Sequence, residues 1–408
     1  MASQTKLLLI PCSGEETQRL AHDIFRILRE DYSLESQVEL LDSHQRKEID
    51  NDTPKAHRHQ LVGDYFADEE VQVDIGSNEL KDVIRGKHLA LIEHMLTPAR
   101  KVTDGDSQNV SVNDHVMTIR GFLDVVSNVE TLQRTLVAPY LAYVRSHSVE
   151  KYQKRGFYQF DSLHTMLMDF QKGGLNAIAC IDPHSTKAAQ LAEELNMDFH
   201  ASNPFQSGRA INPYKLGLAG EKTKEVLKRL RPFQERFDQM KQRYGQRVSV
   251  ISVDDGTERR AENFTERAYR NSPSEEVYQK LAYLDKDRIG YEHAPTRFKQ
   301  FSQINERNID PEGVYIIIDD MFASGSTSNT AAQIFKSASA KRVEVWTSHA
   351  VTMPVQQSKA NDRSHIDKVV CLDTVPQHPS LEVEYIPASA DLLAAELYKA
   401  HQKLMALR

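Results

Sequence analysis

Short apolar runs alternate with longer amphipathic stretches along nearly the whole chain. Residues 6–11 (KLLLIP) read as a strand buried on both faces, and 16–30 follow as a helix with Leu20, Ile24, Ile27 and Leu28 on one stripe. Residues 88–93 (HLALIE), 135–140 and 177–181 (AIACI) are further buried strands, with helices predicted over 112–126 and 163–170 between them. A long charged helix is expected over 221–244, stopped by Gly245. The alternation then begins again, with strands at 247–253, 314–318, 342–347 and 368–372 and helices at 258–268, 327–338 and 391–407. Strands alternating with helices imply largely parallel sheets covered on both faces, an α/β fold in two halves. The boundary falls near residues 200–245, giving domains 1–205 and 206–408. The polar segments 99–110 and 271–312 are expected to be loops or insertions.

Composition narrows the class. A chain of 408 residues is too long for one compact core, and 27% charged with 40% hydrophobic residues is the balance of a soluble globular protein. Acidic residues outnumber basic ones, 58 to 51, so there is no general basic surface for nucleic acid. No run reaches the roughly 18 apolar residues of a membrane span, and 7–11 is too short for a secretory signal. Cys12, Cys180 and Cys371 are widely spaced and odd in number, offering neither a disulfide framework nor a zinc site. The expectation is a cytoplasmic protein with neither membrane nor nucleic-acid partner.

The strongest chemical signal is the stretch 314–327, VYIIIDDMFASGST. A β-branched run ends in Asp319 and Asp320, and the small-residue turn Ala323-Ser324-Gly325-Ser326-Thr327 leads into a helix. Backbone N–H groups of such a turn, its hydroxyls and the positive end of the helix can converge on one phosphate, and Gly325 lets the backbone approach closely. The two acids stand at a strand's carboxyl end, where open α/β sheets bind ligands and where they can hold ribose hydroxyls. A carboxylate at a solvent-facing strand end would serve ligand rather than core.

This stretch resembles the phosphoribosyl-binding motif shared by phosphoribosyltransferases and phosphoribosyl pyrophosphate (PRPP) synthetases, and an ordered set of segments resembles the synthetase branch. Phe66-Ala67-Asp68-Glu69-Glu70 is similar to its Phe-x-Asp-Gly-Glu, Arg85-Gly86-Lys87 to its Arg-Gly-Lys, and Val112-Asn113-Asp114 to its Val-Asn-Asp. Pro139 to Arg145 is similar to Pro-Tyr-Phe-x-Tyr-Ala-Arg, and Asp182-Pro183-His184-Ser185 to Asp-Leu-His-Ala. Ser252 to Gly256 with Arg259-Arg260 is similar to Ser-Pro-Asp-x-Gly-Gly with its Lys-Arg pair. Thr347-Ser348-His349 and Asp373-Thr374-Val375-Pro376 match the closing Thr-His-Gly and Asn/Asp-Thr-Ile-Pro. The resemblance implies two phosphoribosyltransferase-like doubly wound domains with mostly parallel sheets. It also implies transfer of the β,γ-diphosphoryl unit of Mg-ATP to the anomeric hydroxyl of ribose 5-phosphate, with AMP released. Such a transfer depends on positioning and charge neutralisation.

By the same resemblance Phe66, Asp68 and Glu70 reach the adenine site of a neighbouring subunit, which implies a homo-oligomer, and Arg145 with His147 lines the nucleotide site. His184 lies near the ATP phosphates, and His184 and Asp254 near magnesium. Asp254, Asp319 and Asp320 surround the ribose, and Ala323 to Thr327 take the 5-phosphate. Lys286 and Arg288 are the candidates for the mobile cationic loop that, with His184, acts on the transferring phosphates.

The chain also departs from the pattern. Arg-Gln-Asp is Arg145-Ser146-His147 here, Glu69 and Thr257 replace glycines, and Ala323 stands where the family often has an acid. Extra residues precede Val112 and surround 203–220, and loops on a rigid scaffold carry specificity. Three readings therefore stand. They are a PRPP synthetase using ribose 5-phosphate, the same transfer to ADP-ribose in NAD salvage, and a non-catalytic homologue that regulates an active synthetase.

Overall fold

A computed structural model describes residues 5–42, 63–65, 70–73, 78–98, 110–146, 153–154, 156, 158–205, 216, 218, 222–270, 272–286, 296–376 and 380–407. Strands β1 (Leu7–Pro11), β2 (Val38–Leu40), β5 (His88–Ile92), β6 (Gln133–Ala138), β7 (Ala177–Ile181) and β8 (Asp198–Ser202) form a six-stranded sheet in the order β2-β1-β5-β6-β7-β8. All its pairings are parallel. A short antiparallel pair, β3 (Gly63–Tyr65) and β4 (Val71–Val73), stands apart from it.

The second sheet has seven strands in the order β11-β10-β9-β12-β13-β14-β15. It is built from β9 (Val248–Ser252), β10 (Leu281–Lys286), β11 (Thr296–Phe298), β12 (Val314–Phe322), β13 (Arg342–Ala350), β14 (Lys368–Leu372) and β15 (Glu384–Ile386). Only the edge pair β10–β11 is antiparallel. Strands such as AIACI and VSVIS are buried at every position, as parallel strands covered on both faces must be. The architecture is the doubly wound α/β one expected, in two copies.

Four expectations need correction. The single helix over 221–244 is two, Lys222–Arg229 and Pro232–Tyr244, because Pro232 has no N–H to continue the first and instead opens the second at its first turn. The polar segment 271–312 holds a short helix, Ser274–Tyr278, and the β10–β11 hairpin. β2, β8 and the helix Lys187–Glu194 are additional elements. Finally, β12 does not stop at Ile318 but runs through Asp319 and Asp320 to Phe322.

The two sheets share one core. Phe205, at the end of the first half, stacks on Phe233 with centroids 4.2 Å apart, and Phe233 stacks on Trp346 of β13. The last helix, Ser389–Ala406, returns to pack on β7, β8 and the helix Glu15–Glu30 of the first half. Its first turn is capped by Asp373, whose Oδ1 accepts from the amides of Ala388 and Ser389 at 2.9 and 2.8 Å. Among the described residues no helix is long and apolar enough to cross a membrane.

Candidate active site

In the second sheet the strand order reverses between β9 and β12, so the crevice for a ligand opens at their carboxyl ends. β9 delivers Asp254 there. This aspartate caps the helix Asp255–Ala268: its Oδ1 accepts from the Thr257 amide at 3.0 Å, while Thr257 Oγ1 reaches back to the Asp254 amide at 3.2 Å. Thr257, one of the departures from the family pattern, thus supplies half of a capping box. One carboxylate oxygen of Asp254 is committed to the helix, which fixes where the other points.

β12 carries the acid pair and the turn. The overrun of the strand past Ile318 alternates its side chains, so that Asp320 is 5% exposed rather than solvent-facing. The turn is pinned from behind by Thr352 Oγ1, which donates to the Ala323 carbonyl at 2.6 Å. Gly325 has φ 70° and is the N-cap of the helix Ser326–Ser337. A Cβ there would lie 2.8 and 2.9 Å from the Phe322 ring, so both the conformation and the space require glycine. Ser324 and Ser326 hydroxyls pair at 2.9 Å above this helix end, leaving a half-buried cradle of the type that takes a phosphate.

The first half meets this crevice with the loop that follows β7. His184 Nδ1 is 2.5 Å from Asp320 Oδ2, and Arg260 Nη2 donates to Asp182 Oδ1 at 2.6 Å. Ser348 Oγ donates to the other oxygen of Asp182, and His349 Nε2 donates to the Asp182 carbonyl at 3.1 Å. Asp182 and His184 both have positive φ, 41° and 57°. Such backbone persists only where its surroundings over-determine it, and it clusters at functional sites.

The electrostatics divide the acid pair. Burial, reinforced by the charge of Asp320, pushes the Asp319 carboxyl well above the ordinary carboxylate range. Burial works against Asp320 too, but the hydrogen bond and charge of His184, with Arg260 behind them, outweigh it and hold Asp320 well below that range. Of the two, Asp319 is therefore the one that favours its proton and Asp320 the one that favours its charge.

These groups line one cavity of about 910 Å³, together with Arg145, Arg259, Phe199, Ala201 and Asn203. Of the residues singled out in the sequence, the structure brings together Arg145, His184, Asp254, Asp319, Asp320 and Ala323 to Thr327. Lys286 closes β10, whose parallel pairing of Tyr283 with Ser252 carries its end to the level of Asp254 and beyond. Glu70 is exposed just before β4, away from this cavity's lining. Phe66, Asp68, His147 and Arg288 lie outside the described residues. The Nδ1 of His184 is engaged by Asp320, and among the described residues no cluster of three or more ligating side chains forms.

Arg260, Ser348 and His349 had been noticed only as parts of matching segments, without a role. The missed signal is positional. Arg260 falls in the stripe Thr257, Arg260, Ala261, Phe264, Ala268, where a helix turns its apolar face inward.

No protein-family model matches the chain. A ribose-phosphate pyrophosphokinase of Prochlorococcus marinus is 25% identical over 344 residues, covering 83% of this chain and 82% of that relative. One from Ralstonia nicotianae is 24% identical over 318 residues, with 78% of each covered. Among solved structures, the phosphoribosylpyrophosphate synthetase of Mycobacterium smegmatis matches over 100% of both chains with a TM-score of 0.61 at 15% identity, a likeness of fold. By sequence over most of its length the chain is similar to ribose-phosphate pyrophosphokinases, and by fold over all of it to a phosphoribosylpyrophosphate synthetase.

Proposed function

We propose that the protein transfers the β,γ-diphosphoryl group of Mg-ATP to the anomeric 1-hydroxyl of ribose 5-phosphate. The hydroxyl oxygen attacks the β-phosphorus, the bond from that phosphorus to the bridging oxygen of the α-phosphate breaks, and AMP leaves with the bridging oxygen. The hydroxyl proton is released to solvent or to the site's bases. The observation that carries this reading is the His184–Asp320 contact, which joins the two half-sites into one cavity. Residues 1–205 then supply the ATP side, with Arg145 and His184, and residues 206–408 the acceptor side. Asp319 and Asp320 face the ribose, and Ser324 to Thr327 take its 5-phosphate. Lys286, which ends strand β10 rather than lying in a loop, and Arg288 beyond it in the sequence are the cations that neutralise the transferring phosphates.

The cavity lining carries four aspartates and three arginines, so it is not basic enough alone for a triphosphate and a monophosphate. Asp254, Asp319 and Asp320 are hard oxygen donors, and Mg²⁺ is ordinarily held by one or two carboxylates plus substrate phosphates rather than by a full protein cage. The donor set fits that ion. When bound, it supplies charge neutralisation at the phosphates.

ADP-ribose as acceptor is the second reading. It is favoured by the small Ala323 at the turn, in a cavity of about 910 Å³. The regulatory, non-catalytic reading is disfavoured by the intact constellation of Asp319, Asp320 and His184. Incubation with Mg-ATP and either acceptor, followed by chromatography for AMP, tests all three. AMP with ribose 5-phosphate alone supports the synthetase, AMP with ADP-ribose supports the extended acceptor, and AMP with neither refutes both. A homo-oligomer is part of the proposal, since residues 66–70 are expected to complete a neighbour's adenine pocket. A fully active monomer in sedimentation would remove that part.

A further inference from the structure

Arg260 stands where its helix should present an apolar side chain. It is 7% exposed, in the stripe with Thr257, Ala261 and Phe264, and its guanidinium lies 5.8 Å from the Phe205 ring. A buried charge is costly, and a hydrophobic residue of similar volume would pack there as well or better. The arginine is therefore explained by something that packing does not need. Its Nη2 holds Asp182 of the first half at 2.6 Å, and its Nη1 stands 3.8 Å from Asp320 Oδ1 of the second.

We propose that Arg260 is a positioning residue that clamps the Asp182–His184 loop of the first half onto Asp320 of the second, setting His184 for the transfer. The proposal rests on the diphosphoryl-transfer reading of this site. The loop has two non-glycine residues in the left-handed region and does not hold that shape by itself. Three groups of the second half grip Asp182: Arg260, Ser348 and His349. Of these only Arg260 is a permanent charge, and only Arg260 also reaches Asp320, the partner of His184. The planar fork of a guanidinium can face two carboxylates at once, whereas an ammonium is a point charge. With Nη2 bonded to Asp182 and Nη1 facing Asp320, Arg260 acts through the placement of His184.

The test compares Arg260→Met, Arg260→Lys and the charge-balanced double variant Arg260→Met/Asp182→Asn, which keeps the measurement usable if the first folds poorly. Hydrogen–deuterium exchange of residues 182–186 is measured on the ligand-free protein, and AMP formation on the same preparations. Arg260→Met and the double variant are expected to speed exchange in that loop at least tenfold, with the rest of both sheets unchanged. Their kcat should fall about 100-fold while KM for ATP and ribose 5-phosphate moves less than threefold, because the loss is in the transition state. Arg260→Lys should restore the exchange pattern in part and recover about a tenth of the parent kcat. Unchanged exchange at 182–186, or exchange that rises uniformly through both sheets, would overturn the proposal. So would a double variant with kcat within threefold of the parent. If the parent itself makes no AMP, the transfer reading fails, and the exchange pattern alone still decides whether Arg260 clamps the loop.

Discussion

Replacing Asp320 by alanine should damage both the reaction and the fold. As a solvent-facing carboxylate it would be dispensable to stability, but it is 5% exposed and bonded to His184, with Arg260 3.8 Å away. Breaking a buried ion pair by removing one partner costs roughly 3–5 kcal/mol. Arg260 keeps Asp182, and His184 is 35% exposed and can turn to water, so the lower end, about 3 kcal/mol, applies here. With an unfolding entropy of roughly 2.1 cal/mol/K per residue, that lowers the melting temperature by about 3–4 °C if the halves unfold together. The sign with pH follows from the depressed acidity of Asp320. Its stabilising contribution is complete above the ordinary carboxylate range and disappears only as pH falls through its lowered value, so the deficit of the variant should persist at mildly acid pH. Calorimetric melting of parent and variant at pH 7 and pH 5 measures it, and AMP formation should fall at least 100-fold. An unchanged melting temperature together with AMP formation within threefold of the parent would refute the placement of Asp320 at the joint of the site.

Other expectations follow from single features. Gly325→Ala forces a Cβ against the Phe322 ring and into a left-handed backbone, so KM for ribose 5-phosphate should rise more than tenfold while ATP binding in its absence is retained. Burial raises the Asp319 carboxyl above the ordinary carboxylate range, so binding Mg²⁺ with the acceptor should favour proton release: calorimetric heats will vary with buffer ionisation enthalpy, and Asp319→Asn should lessen that dependence. Burial, with the charges of His401 and His200, lowers His88 to about 3, and burial lowers His401 to about 4. Both stay neutral in the fold while the unfolded chain takes up protons below about pH 6.5, so stability falls as pH drops from there toward 4, by up to about 1.4 kcal/mol per pH unit for each histidine. Urea midpoints between pH 7 and pH 5 should show the slope, and His401→Phe should reduce it by the share of one histidine.

The long apolar runs made the two sheets legible, because a strand buried on both faces announces itself in composition alone. Elements with mixed faces did not. The strand Asp198–Ser202 reads DFHAS and is mostly half-buried, at the sheet's edge, and β10–β11 lies in a stretch dominated by charge. Pro232 did carry its signal, a helix start in the middle of a helical pattern. The phosphate turn was readable because glycine, hydroxyls and acids fell together within one short span. The joint between the halves was not, since Asp182, Arg260, Asp320 and Ser348 are far apart in the chain and only the fold makes them neighbours.

The doubling of the fold raises the question of why the candidate site lies in one crevice and not in the other. The first sheet also reverses its strand order, between β1 and β5, and the same topological rule would put a ligand there. Among the described residues, side chains of the protein itself meet there. Glu93, at the end of β5, is fully buried, accepts from Ser13 Oγ at 2.6 Å and lies 2.5 Å from His115 Nδ1, while His115 Nε2 meets Thr97 at 2.9 Å. Side chains that in an open crevice would face a ligand here bond to one another. The turn after β1, with Glu15 and Glu16 opening its helix, would also repel a phosphate at that helix end. The first sheet contributes instead from strands beside that reversal, and it is from the segments following β6 and β7 that Arg145 and His184 come. A cavity shared between the crevice of one sheet and the flank of the other follows from closing the first crevice, and it exists only while the two halves stay docked.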